Sequence, residues 1–168
     1  AKKLEDFSDY STKQNFEEQE TTILYIDLDN FKYCNDTFGH DIGDLMLKKL
    51  SSLFTEIVGD KGYCVRYGGD EFIIVLPGSS TEFGIKISKQ IYKKIEENGY
   101  FINDIANALK RPIEIDAQHR ISCSIGISTS QKYNQESIME CLKHADSALY
   151  DIKKGTKHDF KVWQKVQK

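Results

Sequence analysis

Hydrophobic residues are arranged along this chain both as short apolar runs and as stripes at helical spacing. Three runs rich in β-branched and aromatic residues begin at Thr22, Tyr63 and Phe72, and such runs are typical of buried strands. Three stripes with a period near 3.6 residues predict helices. These helices cover residues 41–58, about 81–97, and the segment from Ile138 to Ile152.

The remaining segments complete a predicted order of helix, strand, helix, hairpin, helix, hairpin, helix and strand. A helical segment is expected over residues 1–20, a second hairpin over roughly residues 113–117 and 120–129, and an edge strand over residues 158–163. We also expect Asp41 and Asp44 to cap the helix over residues 41–58. Alternating helices and hairpins indicate an α+β sandwich, with helices packed over a mostly antiparallel sheet.

Composition narrows the class of protein without identifying it. The length of 168 residues fits one domain, and a hydrophobic content of 39% is enough for a core. The formal net charge of −3 provides no basic surface for nucleic acid, and no apolar run approaches the roughly 18 residues of a membrane span. Neither a signal peptide nor a low-complexity linker is visible.

The four cysteines indicate a reducing compartment. They lack zinc-ligand spacing and lie in or beside apolar stretches, at Cys34, Cys64, Cys123 and Cys141. A chain of this size needs no disulfides to fold, so we expect reduced core thiols and a cytoplasmic domain. A membrane-anchored parent protein is also compatible with this expectation.

The most informative segment is the heptapeptide Arg66-Tyr67-Gly68-Gly69-Asp70-Glu71-Phe72, which lies between two strand-like runs. We expect a β-hairpin whose two glycines supply the positive φ values of a tight turn. Aspartate beside glycine is common in turns for backbone reasons alone, so Asp70 by itself does not indicate a site.

A second pair of carboxylates, Asp27 and Asp29, ends the first predicted strand. We expect these two side chains to point in opposite directions, so that one of them, Asp27, converges with Asp70 and Glu71 at the sheet edge. Clustered carboxylates raise one another's pKa unless a cation neutralises them. A hard divalent cation is therefore expected, and Mg²⁺ typically uses one or two carboxylates together with water and substrate phosphates.

Other metal and phosphate motifs are absent from the sequence. A calcium-binding EF-hand loop that opened at Asp27 would have Phe31, Lys32 and Phe38 at positions that require a ligand, a glycine and a glutamate. The chain also lacks the Gly-Lys-Ser/Thr triplet of a P-loop and any Gly-x-Gly-x-x-Gly motif.

Four segments, in this order, resemble the GGDEF domain of bacterial diguanylate cyclases, and the resemblance covers most of the chain. They are residues 27–44, with Asp27-Leu28-Asp29-Asn30-Phe31-Lys32 and Asn35-Asp36; the heptapeptide with Arg66; Ser124-Ile125-Gly126-Ile127-Ser128; and Ala145-Asp146-Ser147-Ala148-Leu149-Tyr150 followed by Lys153 and Lys157. The family's fold is palm-like and ferredoxin-related, which is consistent with the predicted α+β sandwich.

The resemblance implies an enzyme that joins two GTP molecules into cyclic di-GMP and releases two pyrophosphates, with Mg²⁺ or Mn²⁺ as cofactor. The 3′-hydroxyl of one GTP attacks the α-phosphate of the other, and such transfer depends on charge neutralisation and in-line positioning. The product has two equivalent halves, whereas each domain carries one site. A transient two-fold dimer of this domain is therefore expected.

Matching positions to the family assigns roles at the carboxylates. Asp27, the carbonyl of Leu28 and Asp70 are expected to hold the metal. Glu71 is expected either to bind the metal or to assist deprotonation of the attacking hydroxyl, which makes Asp70 and Glu71 the expected catalytic residues.

Phosphate binding is assigned to two groups of residues. The first is the backbone amides of Asn30, Phe31 and Lys32, and the second is the pair Lys153 and Lys157. These lysines lie at the C-terminal end of the last predicted helix, where the helix dipole favours cations in any case. The family usually has a glycine and an arginine at positions 156 and 157, so the match is weaker there.

Guanine recognition is assigned to Asn35 and Asp44. A carboxylate is also favourable in the first turn of a helix, which gives Asp44 an alternative structural role. A related subgroup with adenine-containing products has a serine at the position of Asp44, so the aspartate here favours guanine.

Three departures from the family pattern matter. The family's opening motif is missing, and we expect it just upstream of Ala1. The inhibitory Arg-x-x-Asp motif is replaced by Gly59-Asp60-Lys61-Gly62, so no inhibitory product site is expected.

The third departure is that residues 108–113 resemble GGDEF domains that precede an EAL phosphodiesterase domain. A larger parent with an attached sensor or EAL domain is therefore expected, and a silent GTP-binding regulatory module is the alternative to an active cyclase.

Overall fold

The computed structural model describes residues 19–97 and 99–166. In this part of the chain, five strands form one sheet: β1 (Thr21–Asp29), β2 (Tyr63–Arg66), β3 (Glu71–Pro77), β4 (Ser122–Ser130) and β5 (Phe160–Val162). The flanking helices are α1 (Phe31–Phe38), α2 (His40–Val58), α3 (Thr81–Ile95), α4 (Ile102–Leu109) and α5 (Gln135–Lys154). Short 3₁₀ turns lie at Gly59–Lys61 and Ala117–His119.

Strand β1 is the centre of the sheet, whose order is β2-β3-β1-β4-β5. It pairs antiparallel with both β3 and β4, and β2 pairs antiparallel with β3. Only the edge strand β5 is parallel to its neighbour β4 among the described strands. The predicted α+β fold with a mostly antiparallel central sheet and flanking helices is confirmed.

Alternation along β1 divides the core between the two faces of the sheet. Leu24, Ile26 and Leu28 belong to the larger cluster, which also contains the buried residues of α2 and α3. Ile23 and Tyr25 belong to the smaller cluster under α5. The sheet is thus covered by helices on both faces, and the strand end that carries Asp27 and Asp29 lies between these layers.

Helix α5 approaches the sheet closely because β4 has small residues on the facing side. A Cβ atom added to Gly126 would lie 1.9 Å from the carbonyl oxygen of Ala145, so only glycine permits this contact. The neighbours of Gly126 on the same face are Ser124 and Ser128, both buried. This close packing brings the C-terminal end of α5 to the end of β1.

The three helices predicted from apolar stripes are present as α2, α3 and α5, and the edge strand is β5. Side chains cap two of them: Ser80 accepts a hydrogen bond from the amide of Phe83, and Asn134 from the amide of Ser137. The expected capping of α2 by Asp41 and Asp44 is wrong. Gly39 occupies the N-cap position, and no side chain of the described residues caps α2 with a hydrogen bond.

The predicted strand over residues 113–117 is also wrong. Residues 113–116 are irregular and lead into a 3₁₀ turn at Ala117–His119. Strand β4 pairs with β1 along one edge and with β5 along the other. Neither edge of β4 is therefore available to such a strand. The hairpin expected here is therefore a single strand, β4, preceded by a loop.

Two short helices, α1 and α4, were not predicted from the sequence. Each buries a single residue, Cys34 in α1 and Ile105 in α4, so neither has a repeated apolar stripe. The helical segment expected over residues 1–20 lies almost entirely outside the described residues. In the part of the chain that the structure describes, no helix is both long and apolar enough to cross a membrane.

Candidate active site

The end of β1 and the start of β3 meet, which pairs Asp27 with Glu71 and places Asp70 beside them in the hairpin turn. Asp27 is paired in register with Glu71 across the two strands. The amide of Leu28 donates a 3.1 Å hydrogen bond to the carbonyl of Asp70. Since side chains directly opposite in an antiparallel pair lie on the same face, Asp27 and Glu71 share the face covered by α5.

The pKa of Asp27 reflects its burial first and the neighbouring carboxylates second. Burial raises the pKa of Asp27 to about 6; Lys153 opposes the rise, whereas Asp70 and Glu71 contribute to it. A bound cation would stabilise the charged form of a carboxylate in such an environment.

Asp29 lies on the same face of β1 as Asp27, and the expectation that the two point in opposite directions is wrong. Residues two positions apart in a strand share a face because the side-chain period is two. The same lysine, Lys153 of α5, reaches both, at 3.6 Å from Asp27 Oδ1 and 2.7 Å from Asp29 Oδ1. Unlike Asp27, however, Asp29 has a fully buried side chain.

Lys153 lies at the centre of this end of β1. In addition to its carboxylate contacts, its ammonium donates a 3.2 Å hydrogen bond to the carbonyl of Leu28. The lysine therefore contacts Asp27 and the Leu28 carbonyl, the groups expected to hold a metal. Lys157, the other expected phosphate ligand, is exposed in the loop after α5.

The turn of the β2-β3 hairpin differs from the predicted one. Neither Gly68 nor Gly69 has a left-handed backbone conformation, so the expectation that these glycines supply one is wrong. The chain turns over four residues, and the amide of Tyr67 donates a 2.8 Å hydrogen bond to the carbonyl of Glu71. Arg66 fastens the turn by donating from Nη2 to the carbonyl of Gly69 over 2.8 Å.

Gly68 has a steric role at the site. A Cβ atom there would lie 2.7 Å from Oε2 of Glu71, so a side chain at this position would displace the carboxylate. The glycine thus leaves room for Glu71 rather than supplying an unusual backbone angle.

Tyr25 is a site residue that the sequence analysis did not identify. Its hydroxyl donates a 3.2 Å hydrogen bond to Oε2 of Glu71. Burial and the charge of Glu71 raise the pKa of Tyr25, so the phenol remains a donor at neutral pH. Its position two residues before Asp27, on the same strand face, is the signal that could have indicated it.

The backbone amides expected to bind phosphate lie where β1 passes into α1. Asn30 adopts a left-handed conformation with φ of 62°, and its side-chain amide donates to the carbonyl of Arg120 over 2.7 Å. Helix α1 begins at the next residue, Phe31, so the amides of Phe31 and Lys32 belong to its first turn. Amides in the first turn of a helix have no partner within the helix and point toward anions.

Asn35, one of the two expected guanine ligands, lies where α1 packs on α2, against the residue that precedes Asp44. The side chain of Asn35 lies against Gly43, because a Cβ atom on Gly43 would be only 1.8 Å from Asn35 Oδ1. Asp44 is the next residue on α2 and is exposed. It also lines a cleft with Arg66 and Phe72 of the hairpin.

No ready-made metal cage is formed by the described residues. Within residues 19–97 and 99–166, no group of three or more His, Cys, Asp or Glu side chains has an arrangement that would hold a metal by itself. The donors that the site offers are two or three carboxylates and one backbone carbonyl. This set suits a cation that completes its shell with water and with the oxygens of a substrate.

The chain matches one family model over residues 3–159, described as "Diguanylate cyclase, GGDEF domain". A diguanylate cyclase from Vibrio cholerae is 34% identical over 137 residues. That alignment covers 82% of this chain but only 38% of the relative, so this chain spans well under half the length of that protein.

Two solved structures support the same assignment. The active GGEEF domain of a diguanylate cyclase from Vibrio cholerae superposes with a TM-score of 0.77 at 28% identity, covering 98% of this chain and 97% of that one. An EAL/GGDEF domain protein from M. capsulatus has a TM-score of 0.63 at 30% identity, covering 88% of this chain and 86% of that one.

Proposed function

This chain belongs to the diguanylate cyclase GGDEF domain family. We propose that it condenses two GTP molecules into cyclic di-GMP with release of two pyrophosphates. The observation that carries the proposal is the pairing of Asp27 with Glu71 at the junction of β1 and β3, with Asp70 near enough to raise the pKa of Asp27. Carboxylates at this point supply the oxygen donors that metal-assisted phosphoryl transfer requires.

We propose Mg²⁺ or Mn²⁺ as the cofactor, held by Asp27, the carbonyl of Leu28 and Asp70. Glu71 is proposed either to bind this metal as well or to assist deprotonation of the attacking hydroxyl. Burial is the main cause of the raised pKa of Asp27, but Asp70 and Glu71 add to it, and neighbouring carboxylates favour a cation. When bound, the metal would neutralise phosphate charge and make the α-phosphorus more electrophilic.

Each reaction step makes one bond and breaks one. The 3′-oxygen of one GTP forms a bond to the α-phosphorus of the other, and the bond from that phosphorus to the pyrophosphate oxygen breaks. The attacking 3′-hydroxyl loses its proton as the bond forms. Assisting this deprotonation is the second role proposed for Glu71. The hydrogen bond from Tyr25 limits the orientations that the Glu71 carboxylate can take.

We assign the triphosphate to the start of α1 and the end of α5. The first-turn amides, together with Asn30, provide neutral donors, and Lys153 and Lys157 provide positive charge. Lysine neutralises phosphate as a point charge without the two-pronged geometry of arginine.

We assign guanine to Asn35 and Asp44. A carboxylate can accept hydrogen bonds from N1 and N2 of guanine, whereas adenine offers an acceptor at N1 and no amino group at C2. The contact of Asn35 with Gly43 supports the assignment, since Gly43 is the residue next to Asp44 in α2.

Two copies of the domain are needed for one product molecule. The part of each chain that the structure describes has a single set of these ligands, and the two halves of cyclic di-GMP are equivalent. We therefore propose a transient dimer in which two GTP-loaded sites face each other around a two-fold axis.

The domain is proposed to act inside a larger cytoplasmic protein. An EAL/GGDEF domain protein is among its structural neighbours, which supports an attached EAL or sensor domain. Four free cysteines support a reducing compartment. In such a parent, a silent GTP-binding module that regulates a phosphodiesterase is the competing function.

The test is an assay of GTP with Mg²⁺ or Mn²⁺ and chromatographic detection of cyclic di-GMP. Wild-type protein should form product with a specific activity that rises with enzyme concentration, and fusion to a dimerising coiled coil should raise it further. Asp70→Ala should reduce the rate by roughly 100-fold or more without unfolding the protein. Asp60→Ala, in an exposed turn, is the matched control.

If coiled-coil dimers bind GTP and metal but form no cyclic di-GMP, the function is that of the silent regulatory module rather than of a cyclase. Full activity of a folded Asp70→Ala variant would overturn the metal assignment.

A further inference from the structure

Asp29 is a carboxylate for which neither the family resemblance nor the proposed reaction provides a role. Among the described residues, it is the only charged side chain in the fully buried class. Both of its oxygens are engaged. Oδ1 accepts from Ser124 Oγ at 3.0 Å and from Lys153 at 2.7 Å, and Oδ2 accepts from Ser124 Oγ at 3.0 Å and from the amide of His158 at 3.2 Å.

This arrangement excludes Asp29 from direct contact with a metal or substrate. Its side chain has no exposed surface, and its donors come from β4, α5 and the loop that precedes β5. A buried carboxylate is costly, and replacing a buried ion pair by apolar residues is often neutral or stabilising. Stability alone therefore does not explain why the chain has an aspartate here.

The loop after α5 adopts an unusual conformation around Asp29. Lys157 and His158 both have left-handed backbone angles, with φ of 49° and 51°, which is uncommon for residues other than glycine. This path directs the backbone amide of His158 onto Asp29 Oδ2. Asp29 thus fixes both the last turn of α5 and the residues that follow it.

The ammonium of Lys153 is held in one place by two of its three donors. One proton goes to Asp29 Oδ1 and another to the carbonyl of Leu28, over 2.7 Å and 3.2 Å. An ammonium has three protons, so one remains for a further acceptor. Asp27 Oδ1 lies 3.6 Å away, which puts that third donor on the side of the carboxylate site.

We propose that Asp29 is a positioning residue for the cyclase reaction, which anchors Lys153 so that its remaining donor meets the triphosphate of GTP. The inference rests on the proposed function. It assigns to the second aspartate of Asp27-Leu28-Asp29 a role distinct from that of the first: Asp27 faces the cation and substrate, and Asp29 acts through Lys153.

The test separates anchoring of Lys153 from a general role in packing. Binding of the α,β-methylene analogue of GTP, which cannot be cyclised, is measured by calorimetry with Mg²⁺, and binding of GMP is measured in parallel. Asp29→Asn should weaken binding of the analogue about tenfold, since a charge-assisted hydrogen bond is lost, and leave GMP binding unchanged. In a Lys153→Met background, the same substitution should weaken binding no further.

The matched control is Asp151→Asn. Asp151 pairs with Lys161 at 2.8 Å, but both side chains are about half exposed, so this variant should bind like wild type. Equal losses for the analogue and GMP in Asp29→Asn, or unchanged binding of the analogue, would show that Asp29 does not position Lys153.

A second measurement on wild-type protein needs neither nucleotide nor a folded variant. The ¹⁵N resonance of the Lys153 ammonium should be visible and protected from proton exchange, unlike those of exposed lysines. A rapidly exchanging Lys153 would refute the anchoring. Failure of the proposed function would instead appear as wild-type protein that shows a protected Lys153 but forms no cyclic di-GMP.

Discussion

The hydroxyl of Tyr25 donates a 3.2 Å hydrogen bond to Oε2 of Glu71, across the pair of strands that forms the candidate active site. The tyrosine is 6% exposed, and its ring packs edge-on against Tyr67 in the hairpin. A buried aromatic ring has few alternative rotamers, so its hydroxyl is a fixed donor. Glu71, which is only half-buried, thereby gains a defined orientation.

Removal of this hydroxyl should slow the reaction without unfolding the domain. Tyr25→Phe keeps the ring and its packing, and we expect kcat to fall roughly tenfold because a hydrogen bond to a charged group is lost. Steady-state kinetics and thermal melting measure the two effects. Tyr150→Phe, at a residue that is 59% exposed, is the control. Unchanged kcat in Tyr25→Phe would mean that Glu71 needs no support.

The stability of the metal-free protein should depend on pH through Asp27. Its pKa in the folded protein is raised to about 6, chiefly by burial. The folded state therefore holds this proton more tightly than the unfolded chain does. The corresponding contribution to stability is complete below about pH 4 and is lost as pH rises to about 6.

Asp27→Asn should remove the loss of stability that Asp27 causes as the pH rises. With EDTA present, the variant and wild type should melt alike near pH 4. The variant should become more stable by about 1–2 kcal/mol at pH 7, a figure reduced for the partial exposure of the side chain. Thermal melting across this range is the measurement. Identical melting curves at pH 7 would show that Asp27 is not destabilised in the fold.

Base selectivity should depend on the carboxylate of Asp44. Adenine would leave that charge without a partner, at a cost of about 1–3 kcal/mol. Calorimetry should therefore show clear preference for GTP over ATP, and Asp44→Ser should narrow the difference. Equal affinity of the wild-type protein for the two nucleotides would contradict the assignment.

Gly43 should be needed to keep Asn35 in place. In Gly43→Ala the new methyl group would lie 1.8 Å from Asn35 Oδ1, so the amide must move. We expect the KM for GTP to rise about tenfold with a smaller change in kcat, because a binding contact is lost. Ser52→Ala, on an exposed part of α2, is the control. An unchanged KM would exclude Asn35 from guanine binding.

Cyclic di-GMP should not inhibit through the turn that contains Gly59-Asp60-Lys61-Gly62. This segment lacks the arginine whose guanidinium would bind product phosphates in a two-pronged manner. Titration of product into the cyclase assay measures the effect. Submicromolar, noncompetitive inhibition, with saturable binding at residues 59–62, would contradict the prediction.

Local patterns in the sequence determined most of the secondary structure and the family. Apolar runs at strand spacing and stripes at helical spacing depend only on residues near each other in the chain, so β1, α2, α3 and α5 were predictable. The GGDEF heptapeptide is equally local. Helices α1 and α4 were missed because each buries a single residue and leaves no repeated stripe.

Which side chains meet was decided by the tertiary structure. Strand order determined that β5, rather than residues 113–117, pairs with β4. Strand register placed Glu71 opposite Asp27 and within reach of the Tyr25 hydroxyl. Close packing at Gly126 let α5 bring Lys153 to Asp29, a contact between residues 124 positions apart. Sequence spacing determines which face of an element a residue occupies, whereas only packing between distant elements determines what that face contacts.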